Sequence, residues 1–236
     1  MIGLINNEFN KVKKIRLIFS QILIIISIYV MYRVSDKDIY ELVFNIIPII
    51  GIFVSIFFSG SICGELERGN LRYYLTKPVK RWKIYLSKLI CIYIYIHISL
   101  LFVIITCCIL KKNIDGLFIG KYMTYSIPIF FIGIFVLYLS TKFKSQSLCT
   151  GVSIFLFSFS LIISQVLFGI KFNIIEYTFF PYLDFSLFDD LGVLKNMNNE
   201  LGIHLSMKRG IIIDIIYGVL LYIRGNFLFI KKDIRY

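Results

Sequence analysis

The sequence predicts an all-α protein that crosses a membrane six times. Three observations predict this fold class. Of the 236 residues, 58% are hydrophobic and only 17% are charged, the mean hydropathy is +0.81, and the charged residues cluster between long apolar runs. A soluble domain has about 45–50% apolar and about 25% charged residues. We therefore expect residues 1–236 to form a single transmembrane domain.

Six apolar segments have the character of membrane-spanning helices. They are Leu17–Tyr32, Ile39–Ile62, Ile84–Leu110, Tyr122–Ser140, Ser147–Ile170 and Ile211–Ile230. The first is the shortest and can extend back to Ile15 or forward to Val34. An apolar run of about 18 residues or more crosses the hydrocarbon as a helix, whereas barrel strands are shorter and alternate apolar with polar residues. The six segments therefore predict a polytopic helical protein.

The basic residues lie mainly on one side of these spans. With the N-terminus inside, the inner segments carry 16 Lys or Arg and four Asp or Glu, whereas the outer segments carry nine of each. Cytoplasmic loops of membrane proteins are enriched in Lys and Arg. We therefore expect a multi-pass protein of the cell membrane with both termini in the cytoplasm. The net charge of +12 does not indicate nucleic-acid binding, because these charges flank apolar segments and cover no soluble fold.

Residues 1–16 predict an interfacial helix before the first span. Four apolar residues recur at helical spacing between Asn and Lys residues: Ile2, Ile5, Phe9 and Val12. Such a helix lies in the membrane interface with its basic face toward anionic lipid. The alternative is a frayed tail whose charges serve only topology.

Residues 171–210, on the outer side, predict a re-entrant segment before the last span. The stretch EYTFFPYLDFSLFDD has too many aromatic and aliphatic residues for a solvated loop, and Pro181 interrupts it. A short hairpin with its irregular backbone buried against other helices fits this pattern. An aromatic belt at the outer interface is the alternative, and the two are compatible.

The connector at residues 63–83 is far more basic than topology requires. The stretch Gly64–Lys88 carries seven Lys or Arg and two Glu. Gly69 permits a bend, and Pro78 is suited to the start of the next helix. An apolar patch occupies one predicted helical face: Leu71, Tyr74 and Leu75. A short amphipathic helix on the cytoplasmic side indicates a docking element for a partner protein.

This connector resembles that of the permease subunits of type-2 ABC exporters. Their pattern is an acidic residue, Arg-Gly, a hydrophobic turn, Pro-x-x-Arg and a Lys entering the next span. The matching residues are Glu65, Glu67, Arg68, Gly69, Leu71, Leu75, Pro78, Arg81 and Lys88. The ends LINNEFNKVKK and FLFIKKDIRY are also similar to the family's termini. One departure is Asn70, where the family usually has Thr.

The resemblance implies a homodimer or heterodimer of six-helix permeases, each binding a cytoplasmic ABC ATPase. The matching residues, together with Tyr74, would then couple the ATPase to the membrane domain. The small size is similar to the branch that exports antibiotics, lantibiotics and other amphiphiles, so the implied role is antimicrobial export or self-protection. The chain has no GxxxxGK[ST] phosphate loop, so we expect no enzyme activity and no cofactor, with ATP bound by the partner. The alternative is a scaffold or sensor subunit that docks a cytoplasmic partner without transport.

Polar residues inside the predicted spans are candidates for a translocation path. They are His97, Gln165 and Asp214. Asp214 and Arg224 are ten residues apart, about 15 Å along one helix, so they cannot pair. Snorkelling to the nearer interface, or packing, is the interpretation we favour over a transport role.

No metal site is expected. The five cysteines form no CxxC motif and no Cys/His cluster, and they have the pattern of buried apolar residues. The two histidines lie at different predicted depths, which disfavours an intramembrane metalloprotease because that chemistry needs clustered ligands.

Overall fold

The computed structural model describes residues 2–12, 14–34, 39–69, 79–111, 116–160, 176–183, 198–199 and 204–231. All regular structure in these residues is helical, which confirms the predicted all-α class. The helices are α1 (Ile2–Lys11), α2 (Lys14–Val34), α3 (Ile39–Phe58), α4 (Cys63–Glu67), α5 (Arg81–Lys111), α6 (Gly116–Lys142), α7 (Gln146–Ser158) and α8 (Met207–Lys231). Two 3₁₀ turns lie at Ser59–Ser61 and Phe180–Tyr182.

Four helical segments of the described chain are long and apolar enough to cross a membrane. They are Ile15–Arg33, Ile49–Glu67, Arg81–Leu110 and Met207–Lys231. Two apolar segments are shorter: Ser126–Lys142 and Gln146–Ser158. The chain is therefore a helical membrane protein. Six spans remain a prediction, and residues 161–170 of the predicted fifth span lie outside the described residues.

Helix α6 is the centre of the bundle. It packs most extensively on α8 and also contacts α3, α5 and α7. Gly133 of α6 lets α5 approach closely, because a Cβ at this position would lie 2.6 Å from Cγ2 of Ile92. Membrane helices associate through such small residues, since lipid provides no hydrophobic force between helices.

The outward faces of α2 and α8 are apolar. Side chains such as Ile18, Phe19, Ile212 and Ile223 are more than half exposed. On a soluble monomer, large apolar patches of this kind are rare. They are the expected surface of helices that contact lipid.

The second predicted span is interrupted near its end. Helix α3 stops at Phe58, and the chain passes through the turn Ser59–Ser61 into α4. The backbone N–H groups of Ile62 and Cys63 donate to Oγ of Ser140, at 2.9 and 3.1 Å. These bonds matter because a buried N–H without a partner is costly in an apolar environment. The break therefore needs α6 beside it, a condition that hydropathy alone does not reveal.

The N-terminal helix is shorter than predicted and contacts protein. Helix α1 ends at Lys11, and Lys14 already begins the helix of the first span. Phe9 and Val12 pack against the bundle core, and α1 contacts α5. Part of the face expected to lie on lipid is thus covered by protein.

Part of the predicted re-entrant region is described, and it is packed into the bundle. Tyr182 is fully buried, and the Phe179 ring lies 5.2 Å from that of Phe131 on α6. The Glu176 carboxylate accepts hydrogen bonds from the His204 N–H and the Arg209 guanidinium, both at 3.0 Å. The hydrogen bond from His204 lowers the pKa of the Glu176 carboxyl, and the charge of Arg209 adds to this effect. These contacts join the segment to the start of α8. Most of the remaining residues of 171–210 lie outside the described residues, so the re-entrant path remains a prediction.

Candidate functional site

Four charged side chains from three helices meet at the end of the bundle that carries the connector. Glu8 and Lys11 come from α1, Glu65 from α4 and Lys88 from α5; we call these four residues the ionic cluster. Lys88 Nζ lies 2.9 Å from Oε2 of Glu8 and 2.9 Å from Oε2 of Glu65. The second of these contacts is an ion pair without hydrogen-bond alignment. Lys11 Nζ pairs with the other oxygen of each carboxylate, so the four groups form a closed ring of alternating charge.

Three members of the ionic cluster are buried, and Lys11 lies at its solvent-facing edge. Lys88 is 1% exposed, and Glu8 and Glu65 are each 8% exposed. The ammonium group of Lys88 also donates to the carbonyl oxygen of Ser61 at 2.6 Å. A buried charge is tolerated only when it is paired and hydrogen-bonded. Two ammonium and two carboxylate groups satisfy that condition together, with no net charge.

The cluster keeps its members on α1 ionised. Burial raises the pKa of Glu8, but the ammonium groups of Lys88 and Lys11 outweigh burial, and the pKa falls below its ordinary value of 4.5. Burial lowers the pKa of Lys11, yet the carboxylates of Glu8 and Glu65 leave it raised overall. Both shifts favour the charged forms, so these two groups stay charged at neutral pH.

The position of each charged residue along its helix explains how the four side chains of the ionic cluster can meet. Glu8 and Lys11 are three residues apart on α1 and therefore share one helical face. Glu65 lies in the first turn of α4, where the N–H groups of a helix favour a carboxylate. Lys88 lies two turns into α5, on the face that contacts α1.

A polar cleft of about 200 Å³ opens beside the ionic cluster. All four members of the cluster line it, and so do Arg16, Arg68 and Gln146. Because the cluster is neutral as a unit, the two arginines make the cleft positive. Within the described residues, no group of three or more His, Cys, Asp or Glu could hold a metal ion.

Two further connector residues bind the start of α7. The Glu67 carboxylate accepts a hydrogen bond from the backbone N–H of Gln146, and Arg68 donates to Oε1 of the same residue, both at 3.2 Å. Gly60 and Gly64 make room for this side chain, because a Cβ at either position would lie within 2.7 Å of it. The two loops at this end of the bundle are therefore joined.

The connector turns at Gly69. Its φ is +72°, a left-handed conformation that costs other residues free energy. Its N–H donates to the carbonyl of Leu66 at 3.0 Å, which closes the end of α4. The predicted bend is present at this residue.

Arg81, at the far end of the connector, contacts a different helix. Its Nη1 donates to the carbonyl oxygen of Ile230 at 2.7 Å. This carbonyl lies in the last turn of α8, where unpaired carbonyl groups attract cations. Arg81 therefore ties the start of α5 to the end of the last helix.

The structure separates the predicted coupling residues into three groups. Glu65 and Lys88 meet in the ionic cluster, Glu67 and Arg68 meet at Gln146, and Arg81 stands at α8. The remaining predicted residues of the apolar face and its end lie outside the described residues: Leu71, Tyr74, Leu75 and Pro78.

Sequence reasoning missed the contribution of α1 to this site. Glu8 and Lys11 lie in the stretch LINNEFNKVKK, which predicts an interfacial helix and is similar to the family's N-terminus, but neither residue was predicted to contact the connector. The available signal is their spacing of three residues, which predicts an ion pair. The sequence offers no comparable signal for their contact with Lys88, which is 80 residues from Glu8.

The structure describes two of the three predicted path residues, His97 and Asp214. His97 stacks edge-on against Tyr93, with ring centroids 4.1 Å apart, and Gln165 lies outside the described residues. Asp214 is only 1% exposed, so of the two interpretations given for it, snorkelling and packing, its burial fits packing. Arg224 is exposed on another face of α8.

Comparison with known families assigns the chain at family level. A family model described as "Protein of unknown function (DUF2705)" matches residues 29–235. This match covers most of the sequence, so the chain belongs to the DUF2705 family. A search of curated proteins found no match.

Proposed function

We propose that this membrane protein is the permease subunit of a type-2 ABC exporter. In this proposal a cytoplasmic ATPase docks on the connector at residues 63–83, and the permease works as a dimer. The expected cargo is an amphiphilic compound or peptide, in a role of antimicrobial export or self-protection. The proposal rests on the resemblance of the connector and on the way the connector is anchored.

The ionic cluster is the observation that carries the proposal. A docking element can move a membrane domain only if it is firmly attached to the helices. Glu65, two residues into the connector, is ion-paired to Lys11 of α1 and Lys88 of α5. A force applied to the connector would therefore reach the N-terminal helix and the third predicted span together.

The contacts of Glu67, Arg68 and Arg81 support the same mechanical role. The first two join the connector to α7, and Arg81 joins its end to α8. The start and the end of the connector are thus attached to different helices. Displacement of one attachment relative to the other would shift α7 against α8, the kind of rearrangement that alternating access requires.

The test is capture of an ATPase from native membranes. The tagged full chain is expected to retain a subunit that hydrolyses ATP, and Tyr74→Ala is expected to reduce this retention by about tenfold, because aromatic anchors dominate docking interfaces. Tyr177→Ala is the matched control, since Tyr177 is an exposed tyrosine of the described outer segment. Failure of the wild-type chain to retain any ATPase would overturn the proposal.

A second measurement separates transport from scaffolding. The captured complex is reconstituted in liposomes, and ATP hydrolysis is followed while amphiphilic compounds are added. A transporter is expected to hydrolyse ATP faster with its cargo. Hydrolysis that no amphiphile changes would favour the scaffold or sensor alternative.

A further inference from the structure

A second cavity lies between α5, α6 and α8, and one acidic residue is among those that line it. Its volume is about 250 Å³. Asp214, Gly218 and Tyr222 follow one another at intervals of four residues, so they share one face of α8. Because Gly218 has no side chain, α8 packs closely on α6 here: a Cβ at this position would lie 3.4 Å from Cδ1 of Ile134.

Asp214 has no hydrogen-bond partner in the described part of the chain. It is 1% exposed, and neither carboxylate oxygen accepts a hydrogen bond from any described residue. An isolated carboxylate is strongly disfavoured in an apolar environment unless a cation pairs with it or a proton neutralises it. The Asp214 side chain is therefore neutral when it carries a proton, and it becomes a counter-charge only when a cation enters the cavity beside it.

The lining of the cavity indicates which kind of cation fits. Among the described lining residues, only Asp214 and Tyr222 carry side-chain oxygen atoms. Calcium takes six to eight oxygen ligands. The cavity therefore has too few side-chain oxygen atoms to bind a hard metal ion. The aromatic rings of Phe130, Phe131 and Tyr222 also line the cavity. Aromatic faces beside a carboxylate are the chemistry that recognises organic ammonium groups.

We propose that this cavity binds the ammonium head of an amphiphilic organic cation. The carboxylate of Asp214 provides the counter-charge, and the aromatic rings surround the head. The volume is below the roughly 300–1,000 Å³ of pockets that enclose drug-sized ligands. The cavity thus takes the head alone, while the apolar remainder of the ligand stays outside.

The mouth of the cavity faces the surface of the bundle. Ile215 and Val219 line it and are 51% and 52% exposed. Both side chains belong to the apolar outward face of α8. A ligand dissolved in the bilayer can therefore enter the cavity sideways, without passing through the polar cleft. Binding at this site does not depend on the proposed ATPase partner.

Equilibrium dialysis with benzyltrimethylammonium tests the site on the full chain in lipid nanodiscs. Asp214→Asn is expected to weaken binding at least about tenfold, because it removes the counter-charge and keeps the shape. Neopentylbenzene, the neutral molecule of the same shape, is expected to compete poorly. Equal binding by wild type and Asp214→Asn, or equal competition by the neutral molecule, would overturn the proposal.

A second pair of variants tests cation binding in the cavity if Asp214→Asn does not fold. Val219→Phe narrows the mouth and is expected to weaken binding, whereas Leu220→Phe, equally exposed on α8 but absent from the lining, is expected to leave it unchanged. Equal effects of the two variants would overturn the proposal. So would a wild-type chain that binds no cation and dimerises through this face, since the cavity would then be a contact between two copies.

Discussion

Lys88 of α5 holds its ammonium nitrogen 2.9 Å from a carboxylate oxygen of Glu8, which lies 80 residues earlier on α1. This buried pair fixes the N-terminal helix to the third predicted span. It also determines the position of Glu65, because the same ammonium group lies equally close to that carboxylate. The connector and the N-terminal helix therefore form one mechanical unit.

Removing the buried ammonium group should destabilise this unit. Lys88→Met leaves two buried carboxylates facing a single lysine, and breaking a buried ion pair costs about 3–5 kcal/mol. We expect a loss of this size in the free energy of unfolding, measured by denaturant titration in detergent micelles. Lys83→Met is the control, because Lys83 is exposed on the same helix. Equal stability of the two variants would show that the cluster contributes little.

The contribution of Glu8 should depend on pH with a definite sign. Its folded-state pKa lies below the ordinary value of 4.5, so ionisation stabilises the folded state above about pH 4.5, and this stabilisation is lost as the pH falls through the folded pKa. The stability difference between wild type and Glu8→Gln should therefore be constant near neutrality and shrink on acidification. Thermal unfolding across pH 3–7 measures it, and a difference that grew in acid would contradict the assignment.

Gly225 should not accept a side chain while Tyr85 is present. A Cβ at Gly225 would overlap the hydroxyl oxygen of Tyr85, and forced overpacking costs about 1–3 kcal/mol. The Tyr85 hydroxyl is buried without a partner among the described residues, so Tyr85→Phe alone should be nearly neutral. The double variant should regain most of the stability that Gly225→Ala loses, which a double-mutant cycle measures.

A matched glycine provides the control for that cycle. Gly151 lies inside α7, and a Cβ there would meet no atom within 4 Å. Gly151→Ala should leave stability unchanged or raise it by about 0.5–1 kcal/mol, since alanine favours the helix. A loss at Gly151 as large as that at Gly225 would rule out the contact with Tyr85 as the cause.

The turn at Gly69 should tolerate asparagine better than alanine. At φ +72°, Gly69→Ala should cost about 1–2 kcal/mol, whereas Asn visits this conformation more readily. The measurements are unfolding free energy and retention of the captured ATPase, both expected to fall more for alanine. Gly3→Ala in α1, where a Cβ meets no atom within 4 Å, is the control. Identical results for Ala and Asn would exclude backbone strain.

The longest helices could be predicted from apolar run length. The run Ile84–Leu110 lies inside α5, and Ile211–Ile230 lies inside α8. A long apolar run has few alternatives to a helix, because every backbone group in lipid must be bonded within its own segment. The break at Ser59–Ser61 could not be predicted this way, since it depends on Ser140 of α6 for its hydrogen bonds.

The candidate site could be predicted only in part. Glu65 and Lys88 were selected by their place in the connector pattern, but the pattern does not say that they touch. Glu8 and Lys11 were not selected, because a short charged helix before a span has the same pattern whether it lies on lipid or on protein. The buried position of Asp214 likewise depends on how α8 packs on α6, which its own sequence does not specify.

Composition, apolar run length and the spacing of lysine and arginine are sufficient to determine that this chain is helical and belongs in a membrane, because the bilayer acts on each segment separately. Packing decided which charges meet, since that depends on contacts between residues far apart in the chain. The tertiary structure alone placed Glu8, Lys11, Glu65 and Lys88 in one ring and left Asp214 facing an apolar cavity. Burying an unpaired charge is costly. The neighbours that packing supplies therefore decide whether a buried charged residue is stabilised, as in the ring, or left without a hydrogen-bond partner, as at Asp214.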